Sequence, residues 1–79
     1  RTTLALSLPR DGAVSVRIVD LRGRHVRTLL DGAPLAAGRH TVSWDGTADD
    51  GRALPSGVYL ARVVAPGGEA AAAKLVLAR

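Results

Sequence analysis

Cysteine is absent from this 79-residue sequence, as are phenylalanine and methionine. Without Cys there is no disulfide framework, no thiolate metal site and no Cys nucleophile, and the redox compartment stays open. Aromatic residues are reduced to Trp44 and Tyr59, which leaves almost nothing on which nucleic-acid bases could stack. The ten Arg and one Lys outnumber the acids to give a net charge of +4, but they are scattered from Arg1 to Arg79. With no basic stripe, nucleic acid is not an expected partner. No apolar run approaches the roughly 20 residues that cross a bilayer, and no signal peptide is visible. A chain opening on Arg1 reads as a piece of something longer.

What remains is a modest stock of branched aliphatics. Of the 37 hydrophobic residues 14 are Ala, leaving 11 Leu, 9 Val, Ile18, Trp44 and Tyr59 to build a core. A chain this short makes one domain, here residues 1–79, and buries only about 60% of its unfolded surface. Val and Leu on alternating positions favour a thin layered structure of pleated sheets.

Period-2 alternation dominates, interrupted by Gly, Pro and Asp clusters. Thr3 to Leu8 places Leu4, Leu6 and Leu8 on one face, and Pro9-Arg10-Asp11-Gly12 turns the chain. Val14, Val16 and Ile18 define a second strand from Ala13 to Asp20. Asp20-Leu21-Arg22-Gly23-Arg24 suits a tight hairpin loop, with Gly23 in a left-handed conformation. A third strand, Arg24 to Leu30, is followed by a loop over Asp31-Gly32-Ala33-Pro34 and Gly38, then by a fourth strand around Val42 and Trp44. Between Asp45 and Gly57 only Ala53-Leu54 has room for a short edge strand. Val58 to Ala65 and Glu69 to Leu77 complete the set, joined at Pro66-Gly67-Gly68. The Ala run at 70–73 could favour helix by propensity, but ten uncapped residues are a poor helix, so strand is expected.

Six strands and a short seventh, separated by turns every 8 to 12 residues, predict an all-β, immunoglobulin-like (fibronectin III-like) sandwich of about seven antiparallel strands. A small barrel is the alternative. The expected core is Val14, Val16, Ile18, Val42, Trp44, Tyr59 and Leu75. Gly23 and Gly57, each feeding a tight turn into a strand, are expected to hold backbone angles that other residues resist.

Candidate chemistry is sparse. Asp45, Asp49 and Asp50 could offer oxygen ligands to calcium, but the spacing lacks the glycine and closing Glu of an EF-hand, and Asp-Gly pairs are turn formers. His25 and His40 sit on different strands, with no adjacent carboxylate and no Cys. Ser7, Ser15, Ser43 and Ser56 lack a nucleophile-elbow context, and no glycine-rich phosphate loop occurs. Trp44 and Tyr59 could form a sugar platform, but inside alternating strands large rings fill cores. The residues predict no enzyme, no cofactor and no metal site.

Asp20-Leu21-Arg22-Gly23-Arg24-His25-Val26-Arg27-Thr28-Leu29 resembles the D-x-x-G-R-x-V-x-x-L hairpin of FlgD-type immunoglobulin-like domains. That family includes a domain of the flagellar hook-capping protein and the C-terminal sorting domains of type IX secretion substrates. Gly38 to Gly46 resembles its G-x-H-x-V-x-W-D-G, Asp49-Asp50-Gly51-Arg52 and Pro55-Ser56-Gly57-Val58-Tyr59 its D-x-x-G and S-G-V-Y segments, and Lys74-Leu75-Val76-Leu77 its closing strand. The Pro-Asn-Pro segment that often precedes the first strand of sorting domains is missing, and Leu60-Ala61 stands where aromatics commonly follow G-V-Y. The resemblance implies a noncatalytic C-terminal module of a secreted bacterial protein, acting in type IX sorting and surface attachment or as a docking spacer. A structural assembly domain, in a hook cap or an extracellular filament, is the second reading, and a carbohydrate-binding accessory module the third. Expected partners are proteins: secretion machinery, neighbouring domains or like subunits. Docking is expected at an exposed strand edge near Lys74 and Arg79.

Overall fold

The computed structural model describes residues 2–78. Six strands follow one another: β1 (Thr2–Leu8), β2 (Gly12–Val19), β3 (His25–Leu35), β4 (Gly38–Trp44), β5 (Gly57–Val64) and β6 (Ala70–Leu77). All pairings are antiparallel. β1 and β4 form a two-stranded sheet, and β3-β2-β5-β6 a four-stranded one. The chain passes between sheets at β1–β2, β3–β4 and β4–β5, the crossing connections of a sandwich. The two inner faces share one core, in which Trp44 of β4 meets Tyr59 of β5 edge-on, ring centroids 5.2 Å apart and planes at 78°.

Alternation explains which side chains reach that core. Val14, Val16 and Ile18 of β2 are fully buried, as are Trp44 and Ala61, with Leu4, Leu8, Tyr59, Leu75 and Leu77 close behind. Val42 does not follow the expectation, because it stays half-buried. Two strands cannot cover four, and Val42 lies in the smaller sheet, away from the loop that seals Trp44.

The expected seventh strand is also reduced. Ala53 makes a single bridge to Thr47, and the stretch from Asp45 to Ser56 is otherwise loop. That loop still contributes packing: Ala48 and Leu54 are both 7% exposed and plug the end of the core beside Trp44.

The third strand runs further than its sequence suggests, through the predicted Asp31–Pro34 loop to Leu35. Its ladder with β2 shifts register between Val14 and Val16, between Val16 and Arg17, and between Ile18 and Val19. Each shift inserts a residue into β3 and inverts its inside–outside phase, which scrambles the period-2 signal. Gly32, at φ 63°, occupies one bulge, where its N–H donates to Ser15 Oγ at 3.0 Å. Pro34 is tolerated because β3 is an edge strand. In the β2–β3 hairpin Gly23 has φ 83°, the left-handed geometry its position predicts, and Gly57 is also positive at φ 157°.

Candidate functional site

Most polar side chains near the loops are committed to holding the backbone. In the β2–β3 hairpin, Asp20 Oδ1 accepts the N–H groups of Arg22 and Arg24, both at 2.9 Å, while Oδ2 accepts Arg24 Nε at 3.0 Å. These bonds and the Arg24 charge hold the Asp20 carboxyl below the ordinary carboxylate value. The long loop uses the same device. Asp45 Oδ1 accepts from Thr47 Oγ1 at 2.6 Å and Thr47 N–H at 3.1 Å, and Asp50 Oδ1 accepts Arg52 N–H at 2.9 Å. The Thr47 bonds, with a smaller effect of the Arg27 charge, lower the Asp45 pKa.

Asp49 ties the loop to the larger sheet. Its Oδ1 accepts Thr28 N–H at 2.8 Å, and its Oδ2 lies 2.9 Å from His25 Nε2. The Asp49 N–H in turn donates to Val26 carbonyl at 3.0 Å. Arg27 reaches across to Thr47 Oγ1 and the Ala48 carbonyl. The Thr28 N–H bond first, then the His25 bond and the charges of His25 and Arg27, bring the Asp49 pKa down. Asp45 and Asp50 thus each fix a local turn, while Asp49 bonds to β3. Among the described residues no three metal-ligating side chains come together.

The sequence reading of His25 as lacking a carboxylate neighbour is corrected here: its partner, Asp49, lies 24 positions away. Only the loop fold brings them together, and no local spacing could have signalled it. His40 Nε2 is 2.6 Å from the Ala36 carbonyl, a contact that braces the β3–β4 turn. Trp44 is 1% exposed, with Nε1 donating to Thr47 carbonyl at 3.0 Å, and Tyr59 is 6% exposed, with its hydroxyl donating to Pro55 carbonyl at 2.7 Å. Neither ring is available as a sugar platform. Ser7 and Ser43 are exposed on the smaller sheet, and Ser15 Oγ serves the β3 bulge.

Lys74 is exposed on β6, an edge strand, with Leu60 as its cross-strand partner. Arg79, the other expected docking residue, lies outside the described residues. Open depressions mark the surface, three of them relevant here. One of about 600 Å³ at the loop end gathers Asp20, Arg24, His25, Arg52 and Tyr59. A second of about 420 Å³ lies on the outer face of the larger sheet, where Arg17 directly opposes Arg62. A third of about 460 Å³ separates β1 from the Ala run of β6. Sequence inspection missed all three, because each is built by residues from distant strands. None joins a nucleophile, a base and an oxyanion-type donor set.

Comparison with known proteins matches this arrangement. Basal-body rod modification protein FlgD of Salmonella typhimurium is 44% identical over 63 residues, which cover 80% of this chain and 26% of that protein. Its Escherichia coli counterpart is 42% identical over 55 residues, covering 70% and 23%. The chain therefore spans about a quarter of the length of these curated relatives. Among solved structures, FlgD of Pseudomonas aeruginosa superposes with a TM-score of 0.70 at 28% identity, over 95% of this chain and 58% of that one. PorZ, a surface component of the type IX secretion system of Porphyromonas gingivalis, shares the fold at a TM-score of 0.58 and 24% identity, over 85% of this chain and 8% of that one. The model of the FlgD Ig-like domain matches residues 1–69, and this chain belongs to that family.

Proposed function

We propose that this domain is a noncatalytic assembly module, a structural part that makes protein–protein contacts in a bacterial surface structure of the hook-cap kind. The observation that carries the reading is the 44% identity to a basal-body rod modification protein over most of the chain. The use of polar side chains supports it: Asp20, Asp45 and Asp50 fix turns and Asp49 ties the long loop to β3, which suits a rigid spacer rather than a reaction centre. Type IX sorting is the weaker reading, because only a fold-level likeness to PorZ stands behind it.

Both readings meet in one pair of experiments. Exchanging this chain for the corresponding domain of Salmonella FlgD should restore flagellar hooks and swimming relative to a domain-deleted strain. Fusing it to the C-terminus of a periplasmic reporter in a type IX-competent bacterium should leave the reporter inside the cell. Hooks no more frequent than in the deletion strain, from a stably produced chimera, would defeat the assembly reading. Surface display of the reporter would replace it with sorting.

A further inference from the structure

The outward face of the larger sheet gathers positive charge in one place. In the β2–β5 ladder Arg17 stands directly opposite Arg62, and in the β5–β6 ladder Leu60 stands opposite Lys74, one diagonal step from Arg62. Like charges directly across a ladder destabilise the pairing of their strands. Asp31 answers Arg17 at 3.4 Å, but its side chain is 78% exposed, and an ion pair so open to water is weak. Among the described residues neither Arg62 nor Lys74 has a carboxylate in ion-pair reach.

Beside these cations the face is apolar. Val64 and Val76 are 38% and 58% exposed, two of the three large hydrophobic side chains that the described chain leaves open. Val64 lies two positions beyond Arg62 on β5, and Val76 two beyond Lys74 on β6. Across the ladder from Val64 and Arg62 stand only Ala70 and Ala72. These small side chains leave the depression of about 420 Å³ that Arg17 and Arg62 border. A partner bringing carboxylates together with apolar side chains relieves the arginine pair and covers the valines at once.

We infer that this face docks an acidic segment of another protein, its carboxylates between Arg17 and Arg62 and over Lys74, its apolar side chains over Val64 and Val76. The charges of the chain argue against a second copy as the occupant. Asp11, Asp20, Asp45, Asp49 and Asp50 already accept backbone N–H groups. Asp31 and Glu69 already face Arg17 and Arg10. A copy therefore has no uncommitted acid to offer, and its net charge of +4 repels. Neighbouring strands lie about 4.8 Å apart, so β2, β5 and β6 present a strip about 10 Å across. That is the width of one helix or one extended segment. Three cations with no exposed aromatic ring among them suit the carboxylates of a peptide rather than a nucleic acid. This deepens the assembly reading by giving its partner a chemistry, and rests on it for its biological role alone.

Titrating the 79-residue chain with a short peptide of alternating Glu and Val, followed through its amide NMR shifts, tests the docking. Shifts are expected around Arg17, Arg62, Ala72 and Lys74 and not along β1 or β4, and the same peptide with Lys for Glu should give none. Arg62→Glu should raise the Kd about tenfold or more. It also turns a repelling cross-strand pair into an attracting one, so its urea midpoint should rise. Arg39→Glu, on the exposed face of β4, changes the net charge equally and should leave the Kd within about twofold in physiological salt. The inference is overturned if millimolar peptide leaves the outer face unshifted, or if Arg39→Glu weakens binding as much as Arg62→Glu. An Arg62→Glu midpoint below that of the wild type overturns it too, as does binding of phosphatidylglycerol vesicles through this face in place of the peptide. Those outcomes leave hook restoration by the chimera untouched, so the two readings fail separately.

Discussion

The two ends of the sandwich are finished differently. At one, the Asp45–Ser56 loop closes over Trp44 with Ala48 and Leu54, and Asp49 and Arg27 bind that loop to β3. At the other, the seam between the leucines of β1 and the Ala run of β6 is left open. The core therefore grades from dense to incomplete along a single strand, from Leu77 to Ala71 of β6. A domain of this size has too little apolar volume to seal both ends. The largest side chain, Trp44, sits where the loop locks it, and the opposite end of β6 is closed only by alanines.

Removing the anchor of the closed end should break the comparison outright. Trp44→Ala deletes the largest buried side chain, its edge-on contact with Tyr59 and its bond to Thr47 carbonyl. Substitutions of this kind cost about 3–5 kcal/mol, a large share of the stability of a small domain. Urea denaturation should show a chain unfolded or nearly so in buffer. A variant that keeps most of the wild-type midpoint would show that the closed end is not the stabilising one.

Overfilling the dense region comes next. Ala61 of β5 is fully buried, so Ala61→Leu should cost about 1–3 kcal/mol through forced rearrangement. Gly23→Val follows at roughly 1 kcal/mol or more, because a β-branched residue resists the φ of 83° that the hairpin requires. No heavy atom outside its chain neighbours lies within 4 Å of the position of a Cβ at Gly23. The cost is therefore conformational rather than steric, and Gly23→Asn, which tolerates that φ, should recover part of the loss.

Much of this was legible in the residues. Strict alternation marks β1, β2 and β4, β-branched and aromatic content with little polar alternation marks β5, and Asp20 with Gly23 marks the hairpin that the structure shows locked by Asp20. Strand β3 was read short because its bulges invert the phase on which the reading depends, and because Asp31-Gly32-Ala33-Pro34 has the composition of a turn but sits in a ladder held in place by β2. The His25–Asp49 contact and the open seam were not legible for a common reason. Both arise where residues far apart in sequence meet, and the alternation that places a side chain inward does not say whether anything covers it.

A smaller effect concerns the lock itself and appears only in acid. The Asp49 carboxyl titrates lower in the folded chain than in the unfolded one, mainly through Thr28 N–H and His25. A depressed folded pKa contributes stability that is fully present above the unfolded value, near 3.8, and is lost as pH falls through the folded value. Asp20 and Asp45 act in the same direction. In Asp49→Asn the stability should fall at neutral pH and its decline below about pH 4 should be shallower. Parallel acid limbs for the two proteins, measured by denaturation across that range, would exclude Asp49 as a contributor.

The smallest effect is expected at the seam, and it gives the comparison its sharpest control. Ala71→Leu is the same substitution in kind as Ala61→Leu, on the neighbouring strand and also facing inward, but Ala71 is exposed to the cleft where Ala61 is sealed. An added isobutyl group there meets open space between β1 and β6 and can lie against Val63 and Leu6. Its cost should stay within about 0.5 kcal/mol and can turn into a gain, because apolar area is covered without displacing packed atoms. The two Leu variants should therefore separate clearly in urea midpoint. If Ala71→Leu destabilises as much as Ala61→Leu, the seam is packed in solution, and the division of this sandwich into a closed and an open end does not hold.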